Sequence, residues 1–209
     1  MAGTITHEWN GTVLTITSDS GTSSADLKGD KGDKGVRGAQ GVAGGGGGDL
    51  GDVVKMFETP NGEITSLSVP EGVTKLKSYC FSYWESLESV TLPSTLTEIG
   101  GSCFEYCSAL RDVVLPEGLT TIYVRAFEEC SALESIVIPA NVDEIREYTF
   151  GWCSGLNAVT FKGTPSSINV NAFKSCTQAM TINVPWSEGD VANAPWGATN
   201  ATINYNVNV

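Results

Sequence analysis

The chain has 209 residues, 41% of them hydrophobic, enough for one domain-sized core with appendages. Acidic side chains outnumber basic ones 24 to 12, and the net charge of −12 excludes attraction to nucleic-acid phosphates or to an anionic membrane surface. A single histidine, His7, gives no basis for a Ser-His-Asp triad or a multi-histidine metal site, so no catalytic residue, metal or cofactor is expected.

No run approaches the ~20 apolar residues of a membrane span, so membrane insertion is not expected. Residues Met1 to Asn10 lack a basic n-region and an apolar h-region, so the chain reads as made in a cytoplasm without a Sec leader.

Three segments follow one another. Residues 1–28 hold His7-Glu8-Trp9-Asn10-Gly11-Thr12-Val13-Leu14-Thr15-Ile16-Thr17, which reads as a β-hairpin with Asn10-Gly11 as the central pair of a type I′ turn. So small a hairpin needs partners to be stable, and the segment reads as an attachment element. In residues 29–48, glycine recurs at Gly29, Gly32, Gly35, Gly38, Gly41 and Gly44. A strict period of three is the collagen pattern, in which only glycine fits at the triple-helix axis, and these six positions are the trimerisation candidates. Proline is missing from the triplets, and Gly44 to Gly48 is linker-like, so a flexible Gly-rich linker remains the alternative.

Residues 49–209 carry an internal repeat of 23 residues. Phe81, Phe104, Phe127, Phe150 and Phe173 form one column, and Leu87, Leu110, Leu133 and Leu156 another. Val90, Val113, Ile136, Val159 and Ile182 form a third, and Leu92, Leu115, Ile138, Phe161 and Val184 a fourth. Such a period predicts a β-rich leucine-rich-repeat solenoid of about five 23-residue repeats, with a C-terminal cap from about residue 185. Within a repeat, Val113 and Leu115 point inward from a strand, Pro116 ends it, and Leu119 and Ile122 add two more inward groups.

The cysteines obey the same step. Cys107, Cys130, Cys153 and Cys176 form one column, and Cys80 and Cys103 begin a second, continued by Ala126 and Ala172. Without a C-x-x-C pair, a ladder of small buried thiols is the favoured reading over disulfides or zinc. Two columns vary in type: Tyr79, Ser102, Arg125, Tyr148, Asn171 and Tyr83, Tyr106, Glu129, Trp152, Ser175, with Tyr123 nearby in a third. Tyr79, Tyr83, Tyr106, Tyr123, Tyr148 and Trp152 are receptor-binding candidates because Tyr and Trp anchor interfaces; packing over the loop edge is the alternative. The outward row of the strands adds Ser89, Thr91, Asp112, Ser135, Thr160 and Asn183, which suit a shallow binding face or a plain solvated strand. Adjacent acids such as Glu128 and Glu129 read as solvated.

The L-x-x-V-x-L-P strand, L-T-x-I segment and A-F-x-x-C opening over residues 60–185 resemble the BspA-type leucine-rich repeats of bacterial surface proteins. The N-terminal segment, running through Ser23-Ser24-Ala25-Asp26-Leu27-Lys28-Gly29 into the triplets, looks like the start of a phage tail-fibre or receptor-binding protein. Together these resemblances imply a non-enzymatic homotrimer of a phage tail. Its N-terminus would join a virion or tail component, and its repeats would bind a bacterial cell-surface glycan or protein. The alternatives are a bacterial surface adhesion or protein-interaction module, located at the cell surface, and a purely structural virion component.

Overall fold

A 23-residue period with no rung able to bury its own apolar side leaves stacking as the way to build a core. The computed structural model describes residues 6–10, 13–18, 21–26, 65–69 and 71–208. The trimerisation candidates Gly29, Gly32, Gly35, Gly38, Gly41 and Gly44 lie outside the described residues, as does the whole 29–48 segment.

Near the N-terminus, β1 (Thr6–Asn10), β2 (Val13–Ser18) and β3 (Gly21–Asp26) form an antiparallel sheet in the order β1-β2-β3. Two points correct the hairpin reading. Asn10 pairs with Val13, so Asn10 belongs to the strand and is not a central turn residue. The hairpin also gains a third strand, whose Gly-Thr-Ser-Ser-Ala-Asp sequence carries no apolar alternation to announce it.

The repeats form a parallel β-solenoid. On one side run β4 (Ser66–Ser68), β6 (Ser89–Thr91) and β8 (Asp112–Val113), then β10 (Ser135–Ile138), β12 (Ala158–Phe161), β14 (Met180–Asn183) and β15 (Ala201–Asn204). They make two parallel sheets, ordered β4-β6-β8 and β10-β12-β14-β15. The register is one repeat per step, Ile136 to Val159 to Ile182, so each sequence column is a structural column. The alternation is as expected: Val113 and Leu115 are buried, while Val114 between them is 81% exposed.

A further parallel sheet, on the second side of each rung and called the second sheet below, was not evident from the pattern. It consists of the two-residue strands β5 (Lys75–Leu76), β7 (Glu98–Ile99), β9 (Thr121–Ile122), β11 (Glu144–Ile145) and β13 (Ser167–Ile168). Two residues are too few to show a period of two, and one inward side chain per strand looks the same as a turn residue.

The third segment of each rung is a run of tight turns bonded to the next rung. In one such run Phe127 N donates to Thr149 O at 2.9 Å and Glu129 N to Gly151 O at 2.9 Å, while Glu128 N closes a turn on Arg125 O at 3.1 Å. Each rung is thereby joined to its neighbour along all three segments.

The core is a single cluster from Val69 to Ala198. At its centre Phe81, Phe104, Phe127, Phe150 and Phe173 stack with centroids 5.1 to 5.5 Å apart, each fully buried. The cysteine column has a specific bond. Cys107, Cys130, Cys153 and Cys176 each donate the thiol to the carbonyl of the phenylalanine 26 residues back, at 3.0 to 3.2 Å. No disulfide joins any of the six cysteines, and all six are buried. Burial pushes the Cys107 and Cys176 thiols up to about 12, and those of Cys103, Cys130 and Cys153 well above the ordinary value.

The C-terminal cap continues the sheet. β15 pairs with β14 from Met180–Ala201 to Asn183–Asn204, a shorter step than the repeat. Trp186 and Trp196 close the core end against Phe161, at 5.2 and 6.4 Å, and Trp196 Nε1 donates to Ala192 O at 2.7 Å. Gly197 has φ +89°, and a Cβ there would lie 2.9 Å from Val170 O. Only glycine meets both demands.

Two outcomes follow. Phe127→Ala, which empties the middle of the stack, is expected to cost about 3–5 kcal/mol in urea unfolding. Iodoacetamide at pH 8 is expected to label none of the cysteines in the folded chain and all six in denaturant, read by intact mass; labelling of the folded chain at the rate of a free thiol would contradict the burial described.

Candidate functional site: an aromatic turn edge

The turn segment makes a demand that the strands do not. Tyr79, Tyr83, Ser102, Tyr106, Arg125, Glu129, Tyr148, Trp152 and Ser175 all have φ between 54° and 64°. These are the two variable columns, now with a common backbone cause. Four of these five rungs turn through the left-handed region twice, four residues apart, and the fifth does so once. Asn171 is the exception; its N–H instead meets Asn169 Oδ1 at 2.9 Å. For a bulky side chain this conformation is unfavourable, and glycine or asparagine would adopt it more cheaply.

The aromatic side chains at these positions face outward, whereas Ser102 is buried. Tyr79 is 60% exposed, Tyr83 53%, Tyr106 37% and Trp152 36%. Tyr83 and Tyr106 stack face to face, 4.7 Å apart and 11° from parallel. Tyr148 and Trp152 meet at 5.2 Å with a 45° tilt. Five of the six aromatic candidates therefore share the turn edge. Tyr123 does not: it follows β9 on the second sheet, under the Arg146 guanidinium at 4.6 Å.

The second candidate group sits elsewhere on the rung. Ser89, Thr91, Asp112, Ser135, Thr160 and Asn183 lie in the outward row of the long strands, as expected. Thr160, Asn183 and Asn204 form a polar ladder, with Asn183 Nδ2 donating to Thr160 Oγ1 at 3.4 Å and Asn204 Nδ2 to Asn183 Oδ1 at 2.9 Å. The surface is shallow. A hollow beside Glu144, Arg146, Ser167 and Asn169 on the second sheet is open to solvent. Among the described residues, no group of three or more His, Cys, Asp or Glu is arranged to hold a metal, and no helix is long and apolar enough to cross a membrane.

Charges under the edge were misjudged from sequence. Glu128 is not solvated: it is 4% exposed, and Glu105, one rung earlier in the same column, is 9% exposed. Arg125 reaches Glu128 at 3.1 Å and lies 5.2 Å over the Tyr148 ring. Burial, then a hydrogen bond with Glu105, pushes the Glu128 carboxyl up to about 7, against the opposing pull of Arg125. Glu129, half-buried in the outer column, is the first cause of a raised Tyr106 phenol. The usable signal was the 23-residue step itself, since residue 105 aligns with residue 128. The raised carboxyl has a sign. Between pH 4.5 and 7 the folded chain keeps a proton that the unfolded chain gives up, so this group's contribution is full below the window and lost as pH rises through it. The urea midpoint of Glu128→Gln should gain on the parent chain from pH 4.5 to 7, and a constant difference would exclude the shared proton.

Residues 55–187 match the BspA type leucine rich repeat region, in six copies. No curated protein matches the sequence. A leucine-rich repeat protein from Bacteroides ovatus is 28% identical over 59% of this chain and 32% of its own, with a TM-score of 0.53. The T. pallidum leucine-rich repeat protein is also 28% identical, over 58% of this chain and 59% of its own, again at 0.53. A leucine rich cell surface protein from Faecalibacterium prausnitzii, 22% identical with a TM-score of 0.60, covers 96% of this chain and 55% of its own and shares the fold. The chain thus spans between a third and three fifths of the length of these structures. By its repeats over residues 55–187, this chain belongs to the BspA-type leucine-rich-repeat family.

Proposed function

We propose that the solenoid is an adhesion or protein-interaction module of a bacterial surface, and that its turn edge makes the contact. One observation carries this reading. The fold places a left-handed residue at nine of the ten turn positions in five rungs, yet an aromatic is not needed there, since Ser102, Arg125, Glu129 and Ser175 serve equally. Tyr79, Tyr83, Tyr106 and Trp152 hold a costly backbone conformation while leaving a third or more of their surface in water. Such side chains add little to the core and suit a partner's surface.

The ring geometry favours protein over glycan. Sugars stack on aromatic faces, but Tyr83 and Tyr106 cover one face of each other while both side chains stay exposed. Hydroxyl edges meet peptide groups and polar side chains. The Gly-X-Y triplets support joining three such modules, which would raise a weak contact by avidity.

Beads carrying the full chain are expected to adhere to a protein-coated surface, and a Tyr83→Ala/Tyr106→Ala/Trp152→Ala chain that keeps its circular dichroism should lose about tenfold or more in retention. A Thr91→Ala/Ser135→Ala/Thr160→Ala chain should adhere like the parent. The reverse pattern would move the contact to the sheet. In light scattering, a mass of about 66 kDa, three times the 22.0 kDa chain, is expected for the full chain, and a chain starting at Asp49 should be monomeric.

A further inference from the structure

The fold contains the same trio twice. Arg125 lies 5.2 Å over the Tyr148 ring and meets Glu128 at 3.1 Å. Arg146 lies 4.6 Å over the Tyr123 ring and meets Glu144 at 3.3 Å. Each time a guanidinium is held by an aromatic face and a carboxylate together. A third set has the ring and the acid but no arginine. In the outer column the order is Tyr83, Tyr106, Glu129, Trp152, one rung apart at each step. One face of Tyr106 is covered by Tyr83, and its other face looks along the column toward the rung of Glu129. Tyr106 N donates to Glu128 O at 2.9 Å, which sets Glu129 one rung on from Tyr106 in the same column. Tyr106 and Trp152 stand two rungs apart, about 10 Å at the strand spacing, with Glu129 on the rung between them. Both rings are more than a third exposed, and no ion pair reaches Glu129 among the described residues.

We propose that the notch between Tyr106 and Trp152 over Glu129 is a seat for an arginine side chain of the partner protein. The inference rests on the turn-edge reading and names the partner chemistry for that edge. A planar guanidinium can stack on the free face of Tyr106 while donating two N–H bonds to the Glu129 carboxylate; the ammonium of lysine can do only one of these well. A net charge of −12 draws a basic segment toward the chain from a distance.

The test uses the full chain and two peptides, Ac-Ser-Gly-Arg-Gly-Ser-NH2 and its glutamine counterpart, followed by NMR shifts of the Trp152 indole N–H and the Tyr106 ring. The arginine peptide is expected to give saturable shifts that weaken about tenfold or more in Glu129→Gln and fade with added salt. Glu134→Gln removes the same charge from an exposed strand-side position and should leave the titration unchanged. Equal shifts with the glutamine peptide, or equal affinity in Glu129→Gln, would overturn the seat. Adhesion separates this proposal from its parent. If alanine at the aromatic positions abolishes adhesion while no arginine peptide binds, the seat is wrong and the edge stands. If the peptide binds and adhesion ignores the aromatic positions, the notch is an arginine site but not one that serves the partner, which overturns the proposal as stated.

Discussion

Backbone hydrogen bonding from each rung to the next is the constraint on which the rest depends. It runs along the long strands, the two-residue strands and the turn segment, for example Ile136 to Val159, Ile122 to Ile145 and Phe127 N to Thr149 O. A rung displaced by one residue would turn its inward side chains to solvent. The repeat length is therefore held from three sides at once. Once it is held, like side chains must stack on like. The phenylalanine column and the thiol column follow from that geometry, and the thiol adds a donor where an alanine would leave the phenylalanine carbonyl without this bond.

The same constraint separates two kinds of position. Strand columns alternate between core and solvent, so their inward members are restricted to apolar residues of suitable size. The turn columns are restricted in backbone conformation and free in side chain. Tyr, Ser, Arg, Glu and Trp all occupy them. Variation is therefore concentrated on a surface that the core holds rigid, a sound arrangement for a binding edge: the position is fixed by the stack and the chemistry is chosen rung by rung.

Charge near that edge is also a product of stacking. Glu105 and Glu128 share a column beneath the aromatic strip, and Arg125 spans from Glu128 to the Tyr148 ring. Two carboxyls brought together out of water cannot both ionise cheaply, so one holds its proton toward neutrality. Acidity that looks uniform along the chain is thus divided by the fold into buried, paired and outward-facing groups.

The sequence by itself determined the solenoid, its step, the inward columns and the phenylalanine column, because each is a repeated pattern of four or five side chains whose burial has only one solution. It also located the two variable columns and the outward row, as residues 79, 83, 106, 148 and 152 and the strand serines and threonines. Tertiary structure alone decided the rest. The second sheet is too short, at two residues a strand, to leave a periodic trace. The left-handed backbone under the aromatics leaves no mark when glycine is not used. The burial of Glu128, and the separation of Tyr123 from the other aromatics, depend on which segment of a rung faces which neighbour. Periodicity reports what a position repeats; only the closed turn of the rung sets the direction in which it points.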